Sequence, residues 1–137
     1  MKRISMMLFA GWLLSAPAIA RDDWQLLLFT IPGCTYCQTM LHQVIEPMID
    51  EGKIRANQFE EVLEKSDADW QYVRGVGYQQ IRVLKKRYQT SLFPTLVVID
   101  GSGNKLGDNL VGMTSVEHYR AKMDVLVGQL NAMKKAD

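Results

Sequence analysis

The chain has 137 residues, 47% of them hydrophobic, and a formal net charge of +1. That is enough for one domain with one core. The near-neutral balance excludes a strongly basic nucleic-acid binder. With two cysteines and two histidines in all, a four-ligand Cys/His zinc centre has no second cysteine pair to draw on.

Taken in order, the chain opens with a basic pair, Lys2-Arg3, an apolar run from Ile4 to Leu14, and Ala18-Ile19-Ala20 behind Pro17. This is the pattern of a secretory signal peptide cut after Ala20. The apolar run is short for a transmembrane helix. No cysteine lies at the cut, which argues against lipoprotein processing. Removing residues 1–20 leaves a domain over residues 21–137 with a net charge of about −1. The mature chain is expected to insert in no membrane. The short apolar run and the lack of N-x-S/T sites favour a bacterial periplasm.

Trp24 to Thr30 is nearly all apolar and predicts a central strand covered on both faces. Ile31-Pro32-Gly33 breaks it. Cys34 and Cys37 follow, separated by Thr35 and Tyr36, and open a helix over Gln38 to Ile49. On a helix's first turn this spacing brings both sulfurs to one end. A thiolate there faces unpaired backbone N–H groups and the positive end of the helix dipole. Cysteines so placed in a C-x-x-C motif are acidified from about 8.5 into the range of roughly 3.5–7.5. The pair is expected to open and close as a disulfide, with Cys34 the exposed nucleophile and Cys37 the buried resolving thiol. A short structural disulfide and a zinc half-site are the competing readings. Haem attachment is excluded as a motif, because Gln38 rather than histidine follows Cys37.

Within the helix, Met40, Leu41, Val44, Ile45 and Met48 form a core face, and Pro47 is expected to kink or end it. Gln58 to Leu63 is read as a strand parallel to the first. Ser66 to Val76 is read as a long loop, and Gly77 to Gln89 as a helix. Leu96 to Asp100 is a strand, Gly101 to Asn104 a turn, and Lys105 to Val111 the returning strand of a hairpin. Thr114 or Ser115 caps a last helix to about Met133. His42 and His118 are read as surface residues, and the methionines as core rather than a copper box. Trp70, Tyr72 and Tyr78 are read as packing over the sheet edge, with a substrate-contacting lid as the competing reading.

The order β-α-β-α-β-β-α, with C-x-x-C opening the first helix and Phe93-Pro94-Thr95 opening the third strand, resembles the thioredoxin fold. Small exported thioredoxin-like proteins, the SoxS-type periplasmic thioredoxins among them, are similar in feel. The Gly-Cys-x-Tyr-Cys core also resembles glutaredoxins and the disulfide isomerase DsbC. The resemblance implies a three-layer α/β/α sandwich with a mixed central sheet. It implies a cis bond before Pro94, with the Phe93 backbone, Pro94, Thr35 and Tyr36 contacting substrate. Phe93 is bulkier than the residue usual before this proline, and its ring is expected to cover the disulfide or grip apolar substrates. Gly33 replaces the tryptophan of thioredoxins proper, Thr35-Tyr36 replaces Gly-Pro, and Leu28 replaces a buried aspartate.

The resulting expectation is an exported, periplasmic thiol–disulfide oxidoreductase. It acts as a reductase on protein or small-thiol disulfides, works without a dissociable cofactor or metal, and is monomeric. A reductant needs a membrane partner that supplies electrons. The alternative is a non-catalytic binding module with a structural disulfide. A reduction potential below about −300 mV would favour that alternative.

Overall fold

The structure is a computed structural model and describes residues 23–136. The signal peptide expected over residues 1–20 lies outside the described residues. The elements in chain order are β1 (Gln25–Thr30), α1 (Thr35–Met40), a π-turn (Leu41–Ile45), α2 (Glu46–Asp50), a 3-10 turn (Ala56–Gln58) and β2 (Phe59–Leu63). These are followed by β3 (Trp70–Val73), β4 (Gly77–Gln80), α3 (Ile81–Tyr88), β5 (Thr95–Ile99), β6 (Leu110–Val111) and α4 (Val116–Ala136).

The main sheet has the order β2-β1-β5-β6 and is mixed. β1 runs parallel to β2 and antiparallel to β5, and β6 is antiparallel to β5. Every residue of β1 is buried, because alternate side chains enter two different cores. Leu26 and Leu28 join Met40, Val44, Met48, Tyr119 and Met123, beneath α1, α2 and α4. Leu27 and Phe29 join Val62, Val73, Leu84 and Tyr88, beneath α3 and the β3–β4 hairpin. Two helical layers therefore sandwich the sheet, as the resemblance implied.

Several expectations are corrected. The first helix begins at Thr35 rather than Gln38, and it does not end at Pro47. Proline lacks an N–H, and its ring crowds the carbonyl four residues back. The chain widens into a π-turn just ahead of it, where the Glu46 N–H reaches back to the Leu41 carbonyl. The helical path thus continues through Pro47 to Asp50.

The stretch read as a loop and a helix over residues 66–89 is a β-hairpin followed by a short helix. Tyr72 pairs with Tyr78, and Trp70 with Gln80. The alternation Trp70-Gln71-Tyr72-Val73 buries Val73 and turns Trp70 and Tyr72 to solvent. β-Branched and aromatic residues in alternation are a strand signal, masked here by the flanking aspartates and glycines. Trp70, Tyr72 and Tyr78 do not pack over the sheet edge; they stand on the outer face of the hairpin, 67%, 51% and 70% exposed.

The strand expected over Lys105 to Val111 shrinks to Leu110–Val111, with an isolated bridge between Lys105 and Ile99. α4 matches its expectation. Ser115 is the cap, its Oγ accepting from the His118 N–H at 3.1 Å.

Candidate functional site

Cys34 and Cys37 are joined by a disulfide, with Cα atoms 5.2 Å apart. The cause is local. Cys34 has extended dihedrals and caps α1, while Cys37 lies one turn inside it. The Cys37 backbone N–H donates to Cys34 Sγ at 3.1 Å, and the Gln38 N–H donates to the Cys34 carbonyl at 3.1 Å. Gly33, with φ at +75°, turns the chain from β1 into the helix, a conformation that favours glycine. Cys34 is half-buried and Cys37 fully buried. One sulfur is therefore reachable and the other is sealed beneath the helix.

The Phe93–Pro94 peptide bond is cis. Thr95 pairs with Phe29 at the end of β1, so β5 starts at the same end of the sheet as the cysteine loop. Thr95 Oγ1 donates to the Leu92 carbonyl at 2.6 Å and closes this bend. Pro94 is buried. The Phe93 ring packs against the core shared by Phe29 and Tyr88, with Lys85 Nζ 5.5 Å from its centroid.

Thr35 and Tyr36 stand beside a cleft of about 210 Å³ between α1 and the segment Met113-Thr114-Ser115-Val116. Tyr36 is 62% exposed at its rim. No charged side chain lines this cleft. Sequence reading missed Met113 and its neighbours, and no local signal marks them. A larger groove of about 440 Å³ lies along α4 against Leu110, and no residue of the Cys34–Cys37 turn lines it. The small cleft is lined by Thr35 and Tyr36, the two residues between the cysteines, though not by the cysteines themselves. His42 belongs to neither. Its ring nitrogens lie 2.9 Å from Gln38 Oε1 and Glu46 Oε2 on the exposed side of the helix. Among the described residues, no three His, Cys, Asp or Glu side chains converge as a metal site requires.

A dithiol with one accessible sulfur, closing into a short ring at a helix start, performs thiol–disulfide exchange. The fold and this pair define a thiol–disulfide oxidoreductase. The profile of a thioredoxin-like domain matches residues 16–126, and the chain belongs to that family. No curated protein matches the sequence significantly. Among solved structures the chain resembles the reduced periplasmic thioredoxin SoxS of Paracoccus pantotrophus. That match has 19% identity and a TM-score of 0.53, over 78% of this chain and 98% of that one. It also resembles the oxidised C-terminal domain of DsbD from Neisseria meningitidis, at 14% identity and a TM-score of 0.56, over 77% and 81% of the two chains. A thioredoxin-fold protein of Helicobacter pylori aligns at 17% identity with a TM-score of 0.55, over 84% of each chain. At these identities the likeness is one of fold.

Proposed function

We propose that this protein is an exported, periplasmic disulfide reductase, recharged by a membrane protein that supplies electrons. One observation carries the enzymatic assignment: Cys34 reaches solvent at the helix cap while Cys37, one turn on, is sealed. This asymmetry separates an attacking sulfur from a resolving one. The periplasmic setting is supported by the Lys2 to Ala20 signal pattern and by the fold shared with a periplasmic thioredoxin.

In the working direction both cysteines start as thiols. The Cys34 thiolate attacks one sulfur of a substrate disulfide, and the other substrate sulfur leaves with the bonding pair. Cys37 then attacks Cys34 and releases the second substrate thiol. Two electrons have passed to the substrate, and Cys34–Cys37 is the disulfide seen here. The cleft between Tyr36 and Met113 takes the apolar flank of the substrate. Its lack of charge suits protein disulfides better than an anionic small thiol.

Cys37→Ser leaves Cys34 able to attack and unable to be released. Purified from periplasm, this variant is expected to carry covalent partners through Cys34 that reductant dissolves. Cys34→Ser is expected to carry far fewer. Partners that bind both variants and the unaltered protein equally, without covalent linkage, would sink the enzymatic assignment in favour of a binding module.

A further inference from the structure

Releasing the substrate requires Cys37 as a thiolate, yet Cys37 is fully buried, and burial disfavours the charged form. We propose that Glu61 accepts the Cys37 proton, with Thr30 holding its carboxylate in place. The inference rests on the dithiol reading above and names the proton acceptor that reading needs.

The placement follows from the ladder. α1 starts where β1 ends and runs back over the sheet. Met40 packs against Leu26 and Leu28. Cys37, three residues earlier on the same buried side of the helix, therefore lies over the last rungs of β1. Those rungs pair Leu28 with Glu61 and Thr30 with Leu63. Side chains alternate along β2. Phe59 enters the core under α1 and Val62 the opposite core, so Glu61 shares the α1 face with Phe59. Thr30 is 1% exposed, and its Oγ1 donates to Glu61 Oε1 at 2.8 Å. Glu61 is itself half-buried at the edge of the sheet. One end of the carboxylate is pinned inside while solvent still reaches the residue to carry protons away.

The other titratable groups around the pair are engaged or turned elsewhere. His42 is tied to Gln38 and Glu46 on the exposed side of the helix. Glu60 faces the other way and accepts from Gln71. Glu64 is paired with Lys85 at 3.0 Å, on the Phe93 side. The Tyr36 phenol is exposed.

In the step itself, the Cys37 S–H proton passes to Glu61. The Cys37 sulfur forms a bond to Cys34 as the Cys34–substrate bond breaks. The substrate sulfur leaves with the bonding pair and is reprotonated from solvent as Glu61 loses its proton.

The test uses reduced full-length protein and dithiobis(nitrobenzoate), followed by stopped flow. Attack by Cys34 releases one coloured thiolate, and resolution by Cys37 releases the second. Glu61→Gln keeps the shape and the Thr30 hydrogen bond. Near about pH 6 it should slow the second release by roughly 10²-fold and leave the first unchanged, the size expected for a lost general base. The gap should narrow as the pH rises, because hydroxide in solvent then takes over the role of the missing base. Glu61→Asp should recover part of the rate with the same pH profile, and Thr30→Val should fall between. Equal second-phase rates in wild type and Glu61→Gln at every pH would overturn the proposal. So would a slowing that is the same at every pH, which marks packing alone. Failure of the dithiol reading would show separately, as a wild type that releases only one thiolate.

Discussion

The backbone N–H of Cys37 donates to the sulfur of Cys34 over 3.1 Å, so the first turn of the helix closes on the one sulfur that meets solvent. After reduction, the same N–H faces the Cys34 thiolate and stabilises it as charge develops. Cys37 has no such exposure, and its sulfur stays under the helix. In reduced protein at neutral pH, iodoacetamide should therefore alkylate Cys34 well ahead of Cys37. Peptide mapping after brief labelling reads this directly. Equal labelling, or Cys37 first, would reverse the assigned roles.

Glu60 provides a pH dependence with a definite sign. Burial pushes its carboxyl above the ordinary value, and the hydrogen bond from Gln71 offsets this only in part. A carboxylate raised in the folded state lowers stability at neutral pH. The penalty fades as pH falls through the folded value and is gone below the unfolded one. Glu60→Gln keeps an acceptor for Gln71 and removes the charge. It should raise the melting temperature at pH 7 and converge with wild type below about pH 4, a range set by the unperturbed carboxyl. A variant that melts lower at pH 7 would contradict this account.

The hairpin turn is held by backbone contact rather than side chains. Gly75 has φ at +86°, and a Cβ there would stand 2.5 Å from the Gly101 carbonyl oxygen and 3.0 Å from the Gly103 nitrogen. Gly75→Ala should cost on the order of 1–3 kcal/mol, the scale of a strained backbone position. Tyr72→Ala, on the exposed face, loses only its cross-strand contact with Tyr78, whose ring lies 5.2 Å away. That should cost no more than about 1 kcal/mol. Urea denaturation of both variants checks the contrast, and the reverse ranking would refute the packing described for the hairpin.

Asp23, at the start of the described chain, is 2.7 Å from Arg55 and 3.5 Å from Lys134, tying the domain's beginning to the end of α4. Cleavage after Ala20 leaves this anchor intact. Intact-mass analysis of the protein from its native compartment should show a chain beginning at Arg21. A full-length, membrane-retained chain would remove the export proposal.

Much of this molecule was legible in its residue order. β1 could be read because a strand buried on both faces needs an unbroken apolar run, and Trp24 to Thr30 supplies one. The cysteine pair could be read because thiol chemistry at a helix cap depends on local spacing. α4 and its Ser115 cap follow the same local rules. The hairpin at Trp70–Gln80 was hidden, because a two-stranded sheet exposes its aromatic face and so presents no apolar stripe to find. The path of the helix through Pro47 depends on a π-turn, which an apolar period of 3.6 residues does not announce. Met113 comes to stand opposite Tyr36, and Glu61 beside Leu28, through strand order and register. Those pairings join residues far apart in sequence, and only the cost of burying both faces of β1 decides which neighbours each one gets.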